Sequence, residues 1–135
     1  MSDAPPPLEP EKVHALVLNA HSDLESVREL LYEEPRLVNA AWDWGGGDWE
    51  TALGAAAHTG RRQIALLLLE HGARLDLFAA AMLGYFDIVS AVLADFPEMH
   101  DAKGPHGIPL VEHARAGGED ARAVFELLES TQVAR

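Results

Sequence analysis

The chain has 135 residues, with 22 acidic against 10 basic side chains, a net charge of −12, and no cysteine. This is enough chain for one core but not two, no run approaches the ~20 apolar residues of a membrane span, and the acidity opposes contact with nucleic-acid phosphates. Disulfide and thiolate chemistry are excluded, and the opening "MSDAPPPLEPEK" lacks the basic and apolar regions of a secretory signal, which predicts a cytoplasmic protein.

Residues 1–9 are Pro-rich and predict a disordered N-terminus. From Pro10, which suits a first helical turn, the chain reads as helices in pairs. "EKVHALVLNA" precedes "DLESVRELLYEE", with Val13, Leu16, Val17 and then Leu24, Val27, Leu30 and Leu31 at helical spacing. Next come "TALGAAAH" with "RRQIALLLLEHG", "LFAAAML" with "FDIVSAVLADF", and "IPLVEHARA" with "EDARAVFELLES". Each first helix is short and Ala-rich, and each second helix is richer in Leu and Val.

The pairs repeat one another. Ala56 and Ala57 align with Ala80 and Ala81, Gly60 with Gly84, and Ile64 with Ile88, without a gap. Ala114 and Gly117 continue the pattern, and Ala20 opens it. Small alanines allow close helix stacking, and glycines suit the tight turns. No single pair could bury its apolar face alone, so the units must stack.

On these residues the chain resembles the ankyrin-repeat proteins. The pattern is matched best by Thr51, Leu53, Ala56, Ala57, Gly60, Ile64, Leu67, Leu68, His71, Gly72 and Ala73, with Pro109 and Leu110 in the last unit and Val38 and Asn39 at the end of the first. The resemblance implies an all-α solenoid of four ankyrin-like helix-turn-helix repeats, at about 11–40, 41–74, 75–101 and 102–131, in a single domain over 10–131. Ala52 and Gly54 replace the usual Pro and His. Against the family spacing, the segment from Asn39 to Thr51 is enlarged into a long first finger, the second finger is missing at Leu75 and Asp76, and extra residues stand near Gly118 to Asp120.

The enlarged finger holds every tryptophan, Trp42, Trp44 and Trp49, around the triplet Gly45 to Gly47. Two roles remain open for it. It can fold across the gap left by the missing finger and cover Met82 and Leu83, or it can present a binding edge on which Trp44 is the exposed ring and Trp49 packs against the helix from Thr51. A phosphate loop is excluded, because Asp43, Asp48 and Glu50 surround the glycines and no lysine follows.

The resemblance further implies protein binding through the fingers and the concave face of the first helices. Mapped onto this chain, that gives Trp42, Trp44, Trp49, His21, His58, Met82, Leu83, His106 and Arg115 as partner-contacting residues. The partner would be a protein, with a basic surface if charged, and the chain a monomer or weak oligomer. No catalytic residue, metal ligand or cofactor is expected, since neither HExxH nor GxSxG occurs. His113 replaces a stacking alanine and reads as the polar cap of the last repeat. His21 and His58 fall in one column of neighbouring units and could share a ligand only with a third group. The alternative is therefore a small-molecule or metal site, possibly of an enzyme, in the cleft between the tryptophan finger and the finger carrying His106.

Overall fold

The computed structural model describes residues 3–134. Eight helices and one two-stranded sheet follow in the order α1 (Pro10–Asn19), α2 (Leu24–Glu33), β1 (Ala41–Asp43), β2 (Trp49–Thr51), α3 (Ala52–His58), α4 (Arg62–Glu70), α5 (Leu77–Leu83), α6 (Phe86–Asp95), α7 (Leu110–Ala116) and α8 (Arg122–Ala134). The expectation of a predominantly helical protein is met. Residues 3–9 have no regular structure, and Leu8 among them packs on the core. Residues 1 and 2 of the expected disordered segment lie outside the described residues.

The first helices of the four hairpins pack side by side, α1 on α3, α3 on α5 and α5 on α7, while α2 lies against α4 and α6 against α8. Residue size explains the close contact. Every residue of α3 from Ala52 to Ala57 is buried, as are Ala79 to Leu83 of α5. Leucines from both helices of the hairpins fill the space around this thin centre, with Leu16, Leu31, Leu53, Leu68, Leu110 and Leu128 essentially inaccessible. Burial of such side chains contributes roughly 1.5–3 kcal/mol each.

Local chemistry sets the ends of these helices. Asp23, Thr51 and Asp76 cap α2, α3 and α5 by accepting from the backbone N–H of Ser26, Gly54 and Ala79. Glu34 and Phe96 precede prolines and take non-helical backbone, so α2 and α6 stop there and give way to 3-10 turns at Pro35–Asn39 and Pro97–Asp101. Those turns were not anticipated. Asn39 then braces the stack at a distance in sequence: its side-chain amide donates to the Gly72 carbonyl and its carbonyl accepts from the Arg74 N–H.

Between α4 and α5 the connection at 71–76 contains no strand. The extra residues of the last hairpin form a 3-10 turn, Gly118–Ala121, that closes over the end of α5. There Gly117 stands against the Met82 carbonyl, and the Arg62 guanidinium donates to the Leu83 carbonyl at 2.9 Å. Met82 and Leu83 are 1 % and 2 % exposed. They are part of the core, so the expected apolar contact patch at these two residues does not exist.

Candidate functional site

The long finger is the antiparallel pair β1–β2, with Ala41 opposite Thr51 and Asp43 opposite Trp49. Its tip is shaped by Asp43, whose carboxylate accepts from the N–H groups of Gly45 and Gly47, while Gly45, Gly46 and Gly47 all have positive φ. A two-stranded hairpin is marginal by itself. This one is held by its side chains. Trp42 and Trp44 face inward and pack on His14 of α1, Trp42 tilted and Trp44 edge-on, at 4.7 and 5.4 Å between ring centroids. Trp49 points outward and is 60 % exposed.

This reverses the order that the binding-edge alternative required, with Trp44 exposed and Trp49 packed. Strand alternation puts Glu50, not Trp49, on the inner face of β2, where it is 1 % exposed. A carboxylate so deeply placed needs partners. Trp44 donates its indole N–H to Glu50 Oε1 at 2.8 Å, and His21 Nε2 lies 3.3 Å from the same oxygen. On the other oxygen, His58 Nε2 is at 3.0 Å and His106 Nε2 at 3.4 Å. Burial opposes ionisation of Glu50, but the Trp44 donor and the imidazoles of His21 and His58 outweigh it and hold the carboxyl below the usual glutamate range.

His106 arrives from the far end of the stack, on the finger at 102–109 that is closed by a single bridge from Lys103 to Pro109. It adopts positive φ, at 63°. Asp48 stabilises that conformation by accepting both the His106 N–H, at 2.8 Å, and its ring Nδ1, at 2.7 Å. This contact also draws the Asp48 carboxyl below the usual range. Pro105 of the same finger sits beside Gly54 in the first turn of α3. With no finger between α4 and α5, the first and last fingers meet directly.

The structure thus brings together four of the residues expected at a partner surface, Trp44, His21, His58 and His106, around a carboxylate. His21, Glu50, His58 and His106 each offer one ligand atom, all within 4.8 Å of one another. No sequence motif marks this cluster, and the third group that His21 and His58 required is present twice, as Glu50 and His106. Arg115 lies apart, paired with Glu112 and stacked over Phe125 at 4.8 Å. Glu50 and Asp48 had been weighed only as acids beside the glycines. The signal for their meeting His106 was the short, strand-free connection at 71–76 between α4 and α5.

His113 is the second correction. It is fully buried, its ring 4.8 Å from Phe78 and its Nδ1 on the Pro109 carbonyl, so it is not a solvent-facing cap. Burial pushes its pKa below the ordinary 6.5. The native state then binds fewer protons than the unfolded chain, so stability rises with pH and is lost as pH falls through about 6.5. His113→Phe should therefore show a smaller drop in melting temperature between about pH 7.5 and 5.5 than the parent, measured by calorimetry; an equal drop would rule out this residue as the source.

Compared with known proteins, the chain matches no family model and no curated sequence. Among the described residues, no helix is long and apolar enough to cross a membrane.

Proposed function

We propose that this chain is an ankyrin-type stack of helical hairpins that binds a protein partner along the outer edge of its long finger. The observation that supports it is the position of Trp49, a 60 % exposed tryptophan on a strand whose next residue, Glu50, is fixed in the interior. A rigid aromatic ring already held in place loses little entropy on binding, and tryptophan is enriched among residues that dominate interface energies. The anchor is Trp49, because Trp42 and Trp44 are engaged within the fold. His21 and His58 are likewise turned into the site, which leaves the finger edge rather than the concave face as the contact surface. The net charge of −12 favours a partner with a basic surface.

Trp49→Ala should change stability by no more than ~0.5 kcal/mol, as for surface positions elsewhere. Chemical crosslinking of the parent protein in cells should capture one stoichiometric protein. Trp49→Ala should abolish co-purification of that protein, whereas Tyr32→Ala, which removes an exposed ring on α2, should not. Co-purification unaffected by Trp49→Ala would refute the finger edge as the interface.

A further inference from the structure

We infer that His21, Glu50, His58 and His106 form a binding site for one divalent transition-metal ion of the zinc class, which joins the first finger to the last. This goes beyond protein binding and stands independently of it.

The argument begins with proton positions. His21 Nδ1 is 3.0 Å from the carbonyls of both Val17 and Leu18, acceptors that require a hydrogen on that nitrogen. His106 Nδ1 faces the Asp48 carboxylate at 2.7 Å, with the same consequence. Each neutral ring then presents the bare lone pair of Nε2 towards Glu50, whose oxygens are also lone-pair donors. Acceptors facing acceptors need a proton or a metal cation between them. Protonating all the imidazoles would supply one only by crowding like charges, since the rings of His21 and His58 are 5.1 Å apart and those of His58 and His106 are 5.2 Å apart. A single dication satisfies every lone pair at once.

Orphaned atoms at the centre give an independent sign. Glu50 Oε2 and His58 Nε2 are both buried and 3.0 Å apart, yet neither has a properly oriented hydrogen-bond partner. Two such atoms aimed at a common point are arranged as ligands rather than as a donor and its acceptor. Spacing agrees with this. The His58 and His106 Nε2 atoms lie 3.0 and 3.4 Å from Glu50 Oε2, close to the ligand–ligand edge of about 3.3 Å expected around a four-coordinate zinc with 2.0–2.1 Å bonds, and His21 Nε2 lies 3.3 Å from the other oxygen, Oε1.

Outer contacts complete the site. An imidazole that donates its remote N–H to a carboxylate or a backbone carbonyl is oriented and made a better ligand, and His106 with Asp48 and His21 with Val17 and Leu18 have this arrangement. Three imidazoles with one carboxylate suit zinc-like ions and disfavour calcium or magnesium, which take oxygen ligands. The partial exposure of the His21 and His106 side chains, 23 % and 33 %, leaves the ion a route in from solvent.

The test is isothermal titration of the metal-stripped full chain with zinc chloride, repeated with cobalt(II) chloride while the visible spectrum is recorded. One equivalent should bind saturably, and cobalt should give the intense visible absorption of tetrahedral coordination. His58→Ala should abolish that spectrum. His106→Ala, on a partly exposed finger and checked for folding by circular dichroism, should do the same even if His58→Ala fails to fold. Asp48→Asn should weaken binding about 10–100-fold, as loss of an outer-shell partner does. His71→Ala, outside the cluster, should bind as the parent does. Absence of saturable binding, or binding that survives His106→Ala unchanged, would overturn the inference and leave the cluster as a proton-linked ion network.

Discussion

Gly84→Ala should abolish folding at ordinary temperatures, at a cost well above the typical mutational effect of about 1 kcal/mol. Two causes add at this position. Gly84 ends α5 in the left-handed region, at φ 80° and ψ 25°, which an alanine occupies only with strain of about 1–2 kcal/mol. The space is also taken, because a Cβ there would fall on the Asp120 carbonyl, with Ala121 Cα just behind it. Those are backbone atoms of the 3-10 turn in the last hairpin and have no rotamer by which to retreat. The comparison is Gly72→Ala, where φ is also positive, at 96°, but nothing lies within 4 Å of the added atom. That variant should lose only about 1–2 kcal/mol from strain. Urea unfolding of both proteins separates the contributions, and equal losses would show that the Asp120 contact yields.

The same glycine shows how much of the fold is legible in the sequence. Gly60 and Gly84 align in the repeat, and their positive φ follows from the tight turn that each must make. The alanine columns, the caps at Thr51 and Asp76 and the missing strand between α4 and α5 follow in the same way, because local spacing dictates them. That the Gly84 turn is closed by Asp120 could not be read, since it depends on how an insertion in one hairpin lies over its neighbour. Strand facing was hidden for a different reason. Alternation in "DWET" fixes that Trp49 and Glu50 point opposite ways, but not which of them is inside. Hydrophobicity favours the tryptophan, and the structure buries the carboxylate because three imidazoles and an indole N–H await it there. Convergence of His21, His58 and His106 lay beyond any local pattern, as it needs three separate hairpins and an absent finger to bring 85 residues of chain to one point.

Glu50→Gln should cost about 3–5 kcal/mol near neutral pH in the presence of a chelator, the range for removing one partner of a buried charge group. The amide keeps the volume and can still accept from Trp44. It offers one uncharged acceptor oxygen where the carboxylate presents two charged ones to His21, His58 and His106, and its NH2 group stands in place of the other. The pH dependence provides a check that a packing defect would not imitate. The Glu50 carboxyl titrates below its ordinary 4.5 in the fold, so its contribution is complete above 4.5 and is lost as pH falls through the lower native value. The parent should therefore lose stability steeply on the acid side of 4.5, and Glu50→Gln should show a shallower decline over the same window. Glu29→Gln, on an exposed position of α2, should stay within ~0.5 kcal/mol of the parent and keep its slope. Parallel acid limbs for the parent and Glu50→Gln would mean that other carboxylates set the acid stability and that Glu50 titrates alike in the folded and the unfolded chain. The three imidazoles would then not favour the Glu50 carboxylate over its acid form, and the finger's tie to the stack would rest on the contacts of Trp42, Trp44 and Asp48.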